Sequence, residues 1–179
     1  MTAINLRLPI PPPHFHYLLA AQGWMELGDD QSAWEELNKL PEGYRWHPDA
    51  AELRWHLNSR KGDWEECFRI SQRMIDETPE RVNGWIHRSF ALHELRRTQD
   101  ALDQLLQALD RFPKIWTIPY NLACYCAQMG RLEDAKQWFG RALVLDQEST
   151  LAAAKDDSDL EPIRQWIVAM TGGSEKCDP

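Results

Sequence analysis

Two kinds of stretch alternate along the chain. In the longer ones, roughly a dozen residues each, apolar side chains recur at i, i+3, i+4 and i+7, which lays an apolar stripe down one face of an α-helix. The shorter ones are polar or carry glycine. The alternation is itself periodic: Ala33, Cys67, Ala101 and Ala135 are 34 residues apart, in "DDQSAWEEL", "GDWEECFRI", "RTQDALDQL" and "GRLEDAKQWF". Gly28, Gly62 and Gly130 share a second phase, broken only by Arg96, and Pro79 and Pro113 share a third. Each period predicts two amphipathic helices. Small residues at their crossing let the axes approach, and glycine at the turn accepts positive φ. One helical pair leaves its apolar face bare, so the units must stack into a superhelix.

These residues resemble the tetratricopeptide repeat family. The third unit supplies Trp85, Ser89, Leu92, Ala101, Leu105, Ala108 and Pro113 at the family's characteristic positions. The fourth supplies Leu122, Ala123, Cys126, Gly130, Ala135, Phe139 and Ala142. The first supplies Tyr17, Ala20, Ala21, Trp24, Gly28, Ala33 and Leu37. The second unit diverges, with Trp55 where a small residue is usual and Ser71 where a large one is. The resemblance implies an all-α fold: a right-handed α-solenoid of four helical hairpins over residues 14–147, closed by a C-terminal capping helix within 148–170. That makes nine helices in one domain.

The ends depart from the repeat. "LPIPPP" is extended by its prolines, so residues 1–13 form an arm that either lies over the first helix or projects from it. Near the other end, Ile163, Trp166, Ile167 and Met170 have helical spacing. Ser158 followed by Glu161 reads as a helix start, with Pro162 in the first turn. This ending resembles the closing segment of bacterial repeat proteins of this kind, in which "YNLAC" and a later "DLEP" recur. Residues 171–179 read as a disordered tail.

Composition narrows the function. The formal charge is −8 and the chain has no long basic run, which argues against a nucleic-acid partner. No apolar run approaches the ~20 residues of a membrane span, so no membrane is expected either. "MTAINLRLPIPPPHF" carries no secretory signal, and four cysteines without a disulfide framework fit reduced thiols in a cytoplasm.

Candidate chemistry is sparse. Cys124 and Cys126 are two apart on a predicted helix and so point roughly 200° apart, which prevents them from gripping one ion. Cys126 takes a packing position and Cys124 faces the concave side. "HELRR" at 93–97 starts like a zinc-protease helix, but Arg97 stands where the second histidine is required. His56, His87 and His93 sit on two adjacent first helices, placed either to meet across the groove or to be solvated. No nucleophile–base motif and no phosphate loop is present. Neither a catalytic residue, a metal nor a cofactor is therefore assigned. Arg54 and Arg88, 34 apart, stand at a phase where the family has leucine. A buried guanidinium needs an acceptor, with Glu52, Glu66, Asp103 or backbone carbonyls as candidates. The outcome is either an interhelical ion pair or a cationic strip that recognises carboxylates.

Arrays resembling this one bind extended peptides on the concave face of their first helices. In register, that face carries Phe15, Leu18, Gln22, Glu52, His56, Asn83, Ile86, Phe90, His93, Tyr120, Asn121 and Cys124. Phe15, Phe90 and Tyr120 are expected to be exposed anchors, with amides holding peptide backbone. The family's clamp for acidic chaperone tails (lysine, asparagine, asparagine, lysine, arginine) falls on Leu18, Gln22, Leu53, Asn83 and His87, and is absent in that form. Tyr44 and Trp46 in "LPEGYRWHP" are expected to tuck between units. The sequence thus points to a non-catalytic, cytoplasmic protein-interaction module with a protein or peptide partner. The alternatives are a homo-oligomeric scaffold with a self-occupied groove, or an enzyme subunit using the His56, His87 and His93 region.

Overall fold

The computed structural model describes residues 8–172. Among these there are ten α-helices and two short 3-10 segments, with no strand. The helices are α1 (Pro12–Glu26), α2 (Asp30–Asn38), α3 (Pro48–Lys61), α4 (Trp64–Glu77), α5 (Val82–Glu94), α6 (Thr98–Leu106), α7 (Thr117–Gln128), α8 (Leu132–Leu145), α9 (Gln147–Ala154) and α10 (Arg164–Gly172). The described residues fall into two compact units, divided between Ala91 and Leu92 inside α5.

In the first unit α1 pairs with α2 and α3 with α4. Ala21, Ala33, Leu37, Ala50 and Leu57 form one fully buried cluster, which Ile10 of the N-terminal arm joins. The described part of the arm therefore lies over this core: the carbonyl of Leu8 is 3.0 Å from His47 Nε2. Pro12 and Pro13 are already in the first turn of α1, where proline's missing N–H costs nothing. His47, almost fully buried, also accepts a bond from the Asp49 N–H at the start of α3. A second cluster holds Ala51, Trp55, Cys67, Ile70, Met74 and Ala91. Tyr44 packs on the first cluster and Trp46 on the second, so both loop aromatics are tucked in as expected. Helices α4 and α5 meet at Gly84, where a Cβ would stand 3.0 Å from Ile75 Cγ1 and 3.1 Å from Met74 Cβ. Only glycine allows that approach, which sets Asn83 and His87 of α5 near α3.

In the second unit α7 and α8 form the hairpin and α6 packs on α7. Ile118, Leu122, Ala123, Tyr125, Ala135, Phe139 and Ala142 are buried. The chain closes with two more helices rather than one. Gln147–Ala154 forms α9, capped by Asp146, whose carboxylate accepts from the N–H of Ser149 at 3.0 Å. Ser158–Ile163 is a 3-10 segment, so the last α-helix starts at Arg164, after Pro162. The start signal at Ser158 belongs to that segment, and its cap is Asp157, which accepts from the N–H of Asp159. Fully buried Leu160 and Ile163 pin the segment to the hairpin, and Trp166 lies 6.2 Å from Phe139, edge to face. The tail expected from 171 onward lies almost entirely outside the described residues.

The glycine column persists in the backbone where it is broken in sequence. Gly28, Gly62 and Gly130 have φ of 80°, 71° and 75°, and Arg96 takes the same left-handed turn at 62°. Arginine occupies this region at a cost of about 1 kcal/mol relative to glycine. Arg96→Gly, at an exposed position, is expected to stabilise the protein by about that amount and raise the melting temperature by about 2–4 °C. Calorimetry of the two proteins checks this.

Candidate functional site

Glu52 and His56 are one turn apart on α3 and share a face. The 34-residue register sets α5 beside α3, and His87 reaches the same point from there. Glu52 Oε1 lies 2.7 Å from His87 Nε2 and 3.4 Å from His56 Nε2. The His56 and His87 rings meet edge to face at 5.4 Å, and Trp55 stacks on His87 at 3.9 Å with an interplanar angle of 11°. Burial by itself would raise the Glu52 carboxyl. Hydrogen bonds with His56, His87 and Asn83, and the charge of His87, outweigh it and hold the group well below the usual carboxylate range.

Glu52 and His56 also line an open cleft of about 480 Å³ with Phe15, Leu18, Leu19, Gln22, Asp49, Leu53, Arg81 and Asn83. Phe15 and Leu19 are exposed, at 43% and 55%. Leu18 is buried and forms the floor. Arg81 and Asp49 pair at 2.6 Å on the rim. Six of the twelve expected groove residues therefore come together here: Phe15, Leu18, Gln22, Glu52, His56 and Asn83.

The other six are elsewhere. Ile86 is half-buried. Phe90, expected to be exposed, is half-buried against the second core cluster, 5.7 Å from Trp64 and 6.1 Å from Trp55. Tyr120, the third expected anchor, is only 6% exposed, because residues 157–160 of the same chain lie over it. Its hydroxyl donates to Asp157 Oδ2 at 2.6 Å, and the Cys124 thiol donates to the same oxygen at 3.6 Å. His93 binds Asp159 at 3.1 Å and Thr98 at 3.0 Å, both within the second unit. Gln128 donates to the Asp159 carbonyl at 2.9 Å. Asn121 is half-buried. The first-helix face of the fourth repeat is thus filled by an acidic strap from its own C-terminal segment. Arg164 holds that strap in place, donating at 3.0 Å to the carbonyls of both Ala154 and Lys155 at the end of α9 and also to that of Asp157.

Burial works against the thiolate at all three described cysteines. Burial pushes the Cys67 thiol up to about 12. Burial, then the charges of Asp157 and Asp159, raises Cys124 well above its ordinary value. Burial raises Cys126 as well.

Arg54 and Arg88 are buried, but their closest acceptors are neutral. Arg54 donates to the Leu37 carbonyl at 2.9 Å and to Asn38 Oδ1 at 3.4 Å, with the Trp34 ring 5.2 Å away. Arg88 donates to Gln72 Oε1 at 2.9 Å, with the Trp85 ring 5.3 Å away. Desolvation, then Arg45, lowers the Arg54 guanidinium to about 10. None of the carboxylates of Glu52, Glu66 or Asp103 is a partner, so neither arginine forms the interhelical ion pair that is one of the two expected outcomes. A side-chain amide on the second helix of one repeat can accept from an arginine of the next without the desolvation of a second charge. Asn38 and Gln72 are themselves 34 residues apart, so each pair joins two successive repeats at the same phase.

No family model matches the chain, and no curated protein sequence does. Among solved structures the chain is similar to MamA 41-end from Desulfovibrio magneticus RS-1, at 13% identity over 95% of this chain and 100% of that one, with a TM-score of 0.68. It is also similar to TTC0263, a thermophilic TPR protein in Thermus thermophilus, at 16% identity over 85% and 89% of the two chains, TM-score 0.64. A third similar structure is the TPR2AB domain of yeast Sti1 in its pHSP90 complex, at 17% identity over 83% and 69%, TM-score 0.56. These likenesses establish the tetratricopeptide-repeat fold that the 34-residue register implied.

Proposed function

We propose that this chain is a non-catalytic protein-interaction module that takes an extended peptide in the cleft between α1 and α3. The open cleft of the first unit carries the reading. Exposed Phe15 and Leu19 stand over buried Leu18 as a seat for an apolar side chain, with Gln22 and Asn83 placed to bond peptide backbone. The Sti1 neighbour is a complex of such a domain with pHSP90, which supports a groove ligand of this general kind. A ligand other than an acidic chaperone tail is expected, because Leu18, Gln22, Leu53 and Asn83 stand where the family's clamp for such tails has lysines and asparagines. A cytoplasmic setting belongs to the same reading. It is supported by three buried free thiols and, among the described residues, by no helix long and apolar enough to cross a membrane.

Screening the chain against a random peptide library tests the proposal. Selected peptides should share an apolar anchor, and Phe15→Ala should weaken them about tenfold or more, as loss of an aromatic anchor does. Peptides that bind Phe15→Ala and Asn83→Ala as well as the wild type would overturn it.

The second reading, self-association, has its own observation. Val144 is 88% exposed and Val168 62%, with Leu145 and Met170 also exposed, in the second unit. Sedimentation velocity separates the readings: a dimer that persists with the peptide bound leaves the cleft free, whereas one that the peptide dissolves uses it.

A further inference from the structure

The geometry points to a divalent transition-metal site of the zinc class, formed by Glu52 Oε1, His56 Nε2 and His87 Nε2. The ligand atoms of the three residues all lie within 4.8 Å of one another, and among the described residues they form the one such group. Two neutral imidazoles and a carboxylate are a donor set suited to zinc. Three protein ligands also leave a coordination position open for water or an incoming carboxylate.

Four observations favour a built site over a chance meeting. Glu52 and His56, one helical turn apart, face one point from a single rigid helix. Helix α5 brings His87 to that point through the repeat register and the close approach at Gly84. One ligand ring is itself oriented, since Trp55 stacks on His87 at 3.9 Å. The cluster is also reachable, as the His56 side chain is 45% exposed while that of His87 is 12% exposed, which gives an entry path on one side and a fixed wall on the other.

Bond lengths agree with this. Zinc bonds of about 2.0–2.2 Å in a tetrahedral arrangement separate neighbouring ligand atoms by about 3.3 Å. The Glu52–His56 separation of 3.4 Å already matches, and the 2.7 Å Glu52–His87 contact must open by a rotation of the carboxylate as the ion replaces the shared proton. The proposal is independent of the peptide reading, although Glu52 and His56 belong to the same cleft, so a ligand carboxylate in the cleft has access to the open position.

The test is competition for Zn²⁺ between the full-length chain and a chromophoric chelator, paired with the absorption spectrum of the Co²⁺-substituted protein. One ion should bind per chain with a tetrahedral or five-coordinate cobalt spectrum and no near-ultraviolet thiolate-to-cobalt band. His56→Ala, at a half-exposed position, should remain folded by circular dichroism and lose roughly a hundredfold in affinity, at or beyond the upper end of what losing a group behind the ligands costs. At the same zinc concentration the melting temperature of the wild type should rise by more than that of this variant. His87→Gln supplies a second, conservative loss of one ligand. Absence of zinc binding, a thiolate band, or unchanged binding by folded His56→Ala would each overturn the proposal. The last two would place the ion on cysteine or on other histidines.

Discussion

Leu160→Ala is expected to cost about 2–5 kcal/mol of stability and to open the thiol of Cys124 to alkylation. Leu160 is fully buried, and removing a buried leucine loses its transfer free energy and leaves a cavity. Leu160 and Ile163 are the apolar anchors of a strap whose other ties are polar: Tyr120 and Cys124 to Asp157, His93 and Gln128 to Asp159. Polar ties exchange for water at little net cost, whereas the buried leucine cannot. Loosening the strap should therefore strip Asp157 from Cys124, leaving that thiol both reachable and free of the nearby carboxylates that raise it. Iodoacetamide labelling mapped by mass spectrometry under native conditions should show faster modification of Cys124, with Cys67 and Cys126 still protected. If Cys124 stays protected in folded Leu160→Ala, the strap is held by something other than its apolar anchors.

Gln72→Leu and Arg88→Leu should move stability in different ways even though they break the same contact. Gln72→Leu leaves a 7%-exposed guanidinium without its short acceptor and should cost about 1–3 kcal/mol. Arg88→Leu removes the charge together with its desolvation and restores the leucine usual at this phase, so it should lie within about 1 kcal/mol of the wild type, on either side. The double variant should recover most of what Gln72→Leu loses, and urea unfolding of all four proteins gives the coupling. Equal losses in both single variants would mean that packing of the long side chains, rather than the buried charge, sets the energetics at this repeat junction.

The fold is legible in the sequence because its signal is steric. Alanine or cysteine at positions 33, 67, 101 and 135 is required wherever two helices cross closely, and that requirement recurs with the repeat. Even the exception is legible as an exception, since Arg96 breaks the glycine column and yet keeps the left-handed turn. The candidate site is legible only in its first half. Register places Tyr120 and Cys124 on the face where ligands bind, but the same register holds whether a foreign peptide or the chain's own strap covers it. Asp157 lies 37 residues from Tyr120 and Asp159 lies 66 from His93, and no local pattern links them. The helix-breaking "DDSDLEP" has the pattern of a helix start, whereas its acids serve as the cap and the cover of this strap. For the arginines, the cost of a buried charge points to carboxylates. The neutral acceptors Asn38 and Gln72 share a repeat phase, and comparing amide residues at 34-residue spacing finds them. Glu52 is a candidate arginine partner by sequence, and its link to His56 and His87 depends on side-chain directions that spacing alone does not supply.

The measurement that bears most directly on the central claim is backbone amide shift mapping of the isotope-labelled chain with a library-selected peptide. The account predicts perturbations in residues 15–22 of α1, 49–56 of α3 and 81–83 at the start of α5, with α7 and the strap at 157–160 unchanged. Perturbations concentrated on Tyr120, Cys124 and the strap, with the first-unit cleft silent, would contradict it and show that the ligand displaces the strap instead.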